Sequence, residues 1–308
     1  MLDLKRLRLL RELHVRGTII AVADALSFSP SAVSQQLTTL EKELGVPLLT
    51  RAGRHLQLTP AAKLLVAETE QLLDEVERVE SSMRSFDETV RGTVRVAAFQ
   101  TAVLAILPTA LRRLRAEYPS VRVQLVQHEP EAALRETWAR GFDLVIAEQY
   151  PGHATEHFDG LDRRPLIRDR IQLALPPSAI DDPAFDDAHT LADAAGLPWV
   201  MEPKGAASRH WAEQQCRSSG FEPDVRYETA DLQAHIRLIE SGNAVGLLPG
   251  LIHAGPSPKL RLIDLPGDPR RTIFTAARVS STANPALVAF RTILTQVAEA
   301  YELTRHSA

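Results

Sequence analysis

The 308-residue chain has a single cysteine, Cys216, which excludes a disulfide within it and leaves no paired CxxC for zinc. No apolar run approaches the ~20 residues of a membrane-spanning helix. The opening MLDLKRLRLLREL is charged throughout and lacks the apolar stretch of a signal peptide. Together these features predict a cytoplasmic protein that does not engage a membrane. Internal repeats and low-complexity tracts are absent, as are an HExxH, a Walker lysine loop and a GxSxG. Serine, histidine and acidic residues are scattered with no uniting spacing, so no catalytic residue, metal site or cofactor is expected. His153 and His157 follow Pro151-Gly152 in a loop and read as solvated. A large excess of charge is also missing: the net value is −4. Its distribution is uneven. Residues 1–60 hold eight Lys/Arg against five Asp/Glu, leaving 27 against 34 of the chain's 35 and 39 for the rest. A slightly basic head on an acidic body is compatible with local contact to nucleic acid.

The head is also where the pattern is densest. Residues 4–15 predict a helix with Leu4, Leu7, Leu10 and Leu13 as its buried stripe. From Gly17 to Pro60 the chain reads GTIIAVADALSFSPSAVSQQLTTLEKELGVPLLTRAGRHLQLTP. Thr18 can cap a short helix carrying Ile19, Val22, Ala23 and Leu26 at helical spacing. Ser29 is an N-cap with Pro30 at the first helical position, where the missing N–H has no partner to lose. The helix it opens buries Val33, Leu37, Leu40 and Leu44 and ends at Gly45. Its other face presents Pro30, Ser31, Ser34, Gln35 and Thr38, short neutral groups suited to base edges in a major groove. Leu48, Leu49 and Leu56 flank a basic, glycine-containing tip, Thr50-Arg51-Ala52-Gly53-Arg54-His55, in the manner of a wing. Arg51 and Arg54 would reach phosphate or a minor groove. Thr59-Pro60 repeats the cap-plus-proline signal.

The order Ala21…Ala25-Leu26…Ser29-x-x-Ala32-Val33-Ser34-x-Gln36-Leu37…Leu40-Glu41…Leu44-Gly45…Leu48-Leu49-x-Arg51…Gly53-Arg54…Leu58-Thr59-x-Ala61 resembles the winged helix-turn-helix of LysR-type transcriptional regulators. Pro30-Ser31 stands where the family often has Gln-Pro, Ala61-Ala62 where it commonly has Ala-Gly, and Leu49 where an aromatic is common. The first departure removes a glutamine that could read a base.

Pro60 to about Glu88 predicts one long helix. Leu65, Leu72, Val79 and Phe86 are seven apart, and Thr69, Val76 and Met83 interleave, giving a narrow seam among charges that suits one partner helix. This matches the family's linker helix. Beyond Arg91-Gly92, strands alternate with helices: strand 93–99, helix 101–118, strand 121–126, helix 131–140 and strand 142–147, an order that implies a parallel sheet covered by helices. A second α/β unit follows over about 166–265, and 285–303 forms a terminal helix. Asp143-Leu144-Val145-Ile146 and Gly242-x-x-Val245-Gly246-x-x-Pro249 resemble the family's effector domain, which is like a periplasmic binding protein. The expected fold is therefore α+β and multidomain: a winged helix-turn-helix over 1–60, a coiled-coil linker helix over 61–90, and a two-lobed α/β effector domain over 91–308. Its first lobe would take about 91–165 plus 266–308, and its second about 166–265.

Ligands of open α/β sheets sit at the carboxyl ends of strands. Here those ends bring Gln100, Thr101, Glu148, Gly205, Ser208 and Thr229. Helix N-termini near Thr101 and Ala206 would favour a carboxylate, and Glu148 an amine or hydroxyl. An amino acid satisfies both, with other carboxylates next. The resemblance implies a DNA-binding regulator, its partners double-stranded DNA with an interrupted palindromic operator, a small-molecule effector, and further copies of the chain in a homodimer or homotetramer. The α/β order alone also fits a small-molecule binding protein or an enzyme with a helical dimerisation head, and retention on promoter DNA separates these.

Overall fold

The computed structural model describes residues 2–52, 55–153, 156–178, 182–253 and 258–306. The chain divides into two compact units, Met1–Phe86 and Asp87–Ala308.

In the first unit, α1 (Leu4–Arg16), α2 (Ile19–Leu26) and α3 (Pro30–Leu44) precede a hairpin of β1 (Leu49–Ala52) and β2 (His55–Leu58) and then α4 (Pro60–Arg84). Capping chemistry sets the boundaries. The side chains of Thr18, Ser29 and Thr59 accept from the N–H groups of Ala21, Ala32 and Ala62. Gly45 ends α3 at φ +69°, a left-handed conformation that glycine adopts without a Cβ penalty. Leu7, Leu10, Leu13, Val22, Val33, Leu37, Leu40, Leu48 and Val66 form the core. Leu4 is exposed, unlike its expected place in the stripe. Arg11 and Glu12 are buried in an ion-pair chain: Arg11 reaches Glu12 at 2.9 Å and Glu70 of α4 at 2.6 Å, and Arg16 reaches Glu12 at 2.8 Å. α4 stops at Arg84, short of Glu88, and its two faces differ. Ala62, Val66, Thr69 and Leu73 are buried, whereas Leu72, Val76, Val79 and Met83 are exposed, as is Phe86 just beyond the helix. Thr69, predicted in the seam, instead turns inward and donates its hydroxyl to Leu65 O at 2.7 Å. The exposed apolar stripe therefore begins at Leu72.

The second unit runs β3 (Gly92–Ala98), α5 (Gln100–Ala105), α6 (Leu107–Glu117), β4 (Val121–Gln127), α7 (Pro130–Trp138), β5 (Leu144–Gln149) and β6 (Leu161–Leu175). It continues with α8 (Pro183–Asp186), β7 (Pro198–Met201), α9 (Ala207–Ser218), β8 (Asp224–Glu228), α10 (Leu232–Glu240), β9 (Gly246–Pro249), β10 (Arg261–Asp264), β11 (Arg270–Arg278) and α11 (Pro285–His306). Three expectations are corrected. The predicted helix 101–118 is two helices, α5 and α6, divided at Ile106 beside Pro108, whose ring and missing N–H disfavour an unbroken helix. The sheet is mixed rather than parallel. β3 pairs in parallel with β4 and β5, but β11 returns antiparallel between β5 and β6. Finally, β6 is 15 residues long and begins at Leu161, ahead of the second unit expected from about 166. Its first part, LDRRPLIRDR, carries too many charges to resemble a buried strand.

The first lobe is built on β3, β5, α6 and α11, with Val96, Leu107, Leu144, Phe290 and Leu294 in its core. The second is built on the short parallel pair β7–β8 and on β9 and β10 against the end of β6, around Ile171, Leu173, Trp199, Trp211 and Cys216. The indole N–H of the fully buried Trp199 donates to Ala194 O at 3.1 Å.

Candidate DNA-reading surface and ligand cleft

On α3, Pro30, Ser31, Ser34, Gln35 and Thr38 are all exposed, so the predicted reading face is open to solvent. Thr38 donates its hydroxyl to Ser34 O at 3.0 Å, keeping its oxygen as an acceptor. Ser31 lies 3.0 Å from the Ser29 hydroxyl. Gln36 points elsewhere and accepts from Arg6 Nε at 3.0 Å, while Arg6 also binds Glu43. That brace ties α1 to α3. Glu41 accepts from the N–H groups of both Leu48 and Leu49, at 2.8 and 3.0 Å, and so fixes where the hairpin leaves α3. Arg51 is exposed on β1; Arg54 and Gly53 lie outside the described residues.

In the second unit the strand ends converge on a residue absent from the sequence reading of the site. Arg271 of β11 is 1% exposed. It donates to Asp169 at 2.8 and 3.0 Å, to the Thr101 hydroxyl at 2.8 Å and to Glu148, and its guanidinium lies over the Phe99 ring at 5.3 Å. Burial works against its charge, yet Glu148 and Asp169 more than offset that and raise its pKa. The acids outnumber it. Burial pushes the Glu148 carboxyl up to about 7 although Arg271 opposes the shift, and Glu202, Asp169 and Glu129 add to it. Glu202 is likewise raised by burial, partly countered by the hydrogen bond from Ser208. Tyr150, buried with its ring 5.8 Å from that of Trp211, is raised by burial and by Glu148. His235 is lowered by burial, and its Nε2 lies 2.8 Å from Thr229 O.

Gln100 occupies the lip between the lobes. Its amide nitrogen donates to Asp231 at 2.8 Å, and its oxygen accepts from Leu232 N at 2.9 Å. It thus completes the N-terminus of α10 from the opposite lobe. Thr229 accepts from Asp231 N at 3.1 Å. Of the predicted effector residues, Thr101 and Glu148 therefore meet at Arg271, Gln100 and Thr229 meet at Asp231, and Ser208 joins Glu202. Gly205, at φ +100°, turns the chain into α9. The N-cap of α9, Ala206, offers no side-chain acceptor to the first-turn N–H groups. Tyr150, Glu202, Ser208, Arg209, Trp211 and His235 are among the residues lining a cavity of about 20 Å³ here, room for roughly one water, and Arg209 donates to Glu202 O at 3.0 Å. Little in the sequence singles out Arg271: RRTIFTAAR carries arginines at 270, 271 and 278, and the acidic partner of Arg271 lies 102 residues away. Among the described residues no group of His, Cys, Asp and Glu is arranged to hold a metal ion, and no helix is long and apolar enough to cross a membrane.

Two family models match. Residues 4–63 match the helix-turn-helix of bacterial regulatory proteins of the lysR family, and residues 87–299 the LysR substrate binding domain. The transcriptional dual regulator GltC of Bacillus subtilis is 28% identical over 259 residues, covering 84% of each chain. A full-length OxyR variant from Pseudomonas aeruginosa superposes with a TM-score of 0.66 at 18% identity, over 97% of this chain and 95% of that one. Full-length CbnR in complex with its target DNA gives 0.54 at 20% identity, over 96% and 100%. At these identities the structural likeness shows the fold. The two family matches between them span both units, and the chain belongs to the LysR family of bacterial helix-turn-helix transcriptional regulators, with an N-terminal DNA-binding unit and a C-terminal effector-binding domain.

Proposed function

We propose that this regulator pairs through the exposed stripe of α4, reads an interrupted palindromic operator with two copies of α3, and responds to an amino acid in the cleft beside Arg271. Other small carboxylates that also carry an amine or hydroxyl belong to the same class. The observation that carries the ligand reading is the surplus of buried carboxyl groups. Asp169 and Glu148 share the single guanidinium of Arg271, and Glu202 lines the cavity close by, so carboxyl groups outnumber that cation and an amine would supply a second positive charge. The uncapped first turn of α9, with Ser208, suits the carboxylate of the same ligand. Because the cavity holds about one water, entry requires the Gln100–Asp231 clasp to open. Opening and closing then give the ligand two states to choose between, which is what an effector needs in order to act. Pro30, Ser31, Ser34, Gln35 and Thr38 serve as the groove-facing set, with Arg51 and Arg54 on the backbone or minor groove. The family architecture adds a tetramer built through the second units.

Thermal unfolding against an amino-acid and organic-acid panel tests the ligand class. A ligand at 100 times its dissociation constant stabilises by about 2.7 kcal/mol. Glu148→Gln should reduce the shift for ligands bearing an amine and spare simple acids, and Ser208→Ala should reduce both. A panel in which only amine-free acids stabilise, unaffected by either variant, refutes the assignment.

A further inference from the structure

A second and larger cavity lies on the opposite side of the same two strands. It measures about 310 Å³, at the lower end of the range of small-molecule sites, and is lined by Ile167, Arg168, Arg170, Gln172, Arg270, Tyr301 and Glu302. Successive residues of a strand face opposite ways. Arg168, Arg170 and Gln172 therefore share the face of β6 turned away from Asp169, and Arg270 is on the face of β11 turned away from Arg271. Arg170 and Arg270 are directly opposed in the β6–β11 ladder, an arrangement that like charges disfavour. Two aspartates compensate them. Asp268 binds Arg170 at 2.5 Å and Arg270 at 2.7 Å, and Asp264 binds Arg170 at 3.1 Å. Neither aspartate lines the cavity. The wall itself thus presents three guanidiniums and one carboxylate. That carboxylate, Glu302, accepts from the backbone N–H of Arg168 at 3.3 Å. The exposed Arg168 guanidinium has no hydrogen bond or ion pair among the described residues.

We propose that this cavity is a second ligand site, distinct from the cleft, that takes a small organic oxyanion. The anionic head, carboxylate or phosphate, is held by Arg168, whose planar fork suits either group, with Arg170 and Arg270 adding field. The body of the ligand lies toward Tyr301 and Ile167, and Gln172, whose amide nitrogen donates to Asp264 at 2.8 Å, offers its amide oxygen to a hydroxyl. The site lies back to back with the Arg271–Asp169 pair, so its occupant acts on the strands that floor the cleft.

Calorimetric titration of the full chain with citrate, and separately with inorganic phosphate, at matched ionic strength tests this. At least one probe should bind the wild type, with affinity falling about tenfold in Arg168→Ala, the loss of one charge-assisted fork, and partly recovering in Arg168→Lys. Citrate alone binding assigns a carboxylate ligand, and phosphate alone a phosphorylated one. Because the Arg168 side chain is exposed and without a partner among the described residues, its variants should keep the wild-type circular dichroism and melting temperature. Equal affinity of wild type and Arg168→Ala for both probes overturns the proposal, as does binding that Arg168→Ala leaves intact and Glu148→Gln abolishes, which would place the anion in the cleft.

Discussion

Arg271 and Asp169 stand directly opposite each other in the β11–β6 ladder, and two guanidinium N–H groups of the one converge on a single carboxylate oxygen of the other at 2.8 and 3.0 Å. Both side chains are 1% exposed. Breaking such a pair leaves an uncompensated buried charge, at a cost of about 3–5 kcal/mol. Arg271→Met should lower the unfolding free energy of the second unit by that amount, because Asp169 and Glu148 would both be stranded. Adding Asp169→Asn should recover a large part of the loss. Urea unfolding of the two variants checks this, and equal stability of single and double variants would show that the pair is not coupled.

Glu148 makes stability depend on pH in an unusual direction. Its carboxyl is raised from an ordinary 4.5 to about 7, so between those values the folded state holds a proton that the unfolded state has released. Stability from this group is full below pH 4.5 and is lost as pH rises through about 7, by on the order of 3 kcal/mol. Glu148→Gln should remove that decline, and its advantage over the wild type should be greatest above pH 7. Parallel pH profiles for the two would show the carboxyl to titrate normally.

The roles proposed for Gln35 and Arg51 on DNA are separable. Replacing Gln35 by alanine should weaken the preferred site by about 1–3 kcal/mol and relax sequence preference. Replacing Arg51 should weaken operator and random DNA alike and flatten the salt dependence by about one unit of slope. Binding to both DNAs across a salt series separates these outcomes.

The α4 stripe has a direct test in mass. Val76→Asp with Val79→Asp puts charges against their counterparts in a paired seam, and light scattering on the full chain should show the dimer lost. An unchanged mass would move the interface elsewhere.

What could be read from the residues follows from how local each signal is. Thr18, Ser29, Thr59 and Gly45 act within four positions of themselves, and the helix boundaries they predict are those found. The exposed face of α3, proposed to read DNA, is also a matter of helical spacing. Arg271 with Asp169, and Gln100 with Asp231, are separated by 102 and 131 residues, and no periodicity links them. Strand patterning alone leaves direction open, and it is the antiparallel return of β11 that delivers Arg271 to Glu148 and Asp169. The early half of β6 escaped because its charges meet different fates that no local pattern signals: Asp169 pairs with Arg271 of β11, Arg170 with Asp264 of β10 and Asp162 with Arg291 of α11, while Arg168 is exposed. At Thr69 the heptad pattern had two solutions, a partner helix or the unit's own core, and the second was taken.

β6 is shared by two ladders. Through Arg170 it pairs with β11, and from Ile171 it pairs with β9 and β10, with Ile171 N donating to Pro269 O at 3.0 Å at the changeover. One continuous strand therefore runs through both lobes. The same continuity makes phase inviolable. One residue inserted between Arg170 and Ile171 would turn Ile171, Leu173 and Leu175 out of their core and bring their neighbours in, inverting a whole lobe's inside and outside from a single peptide unit.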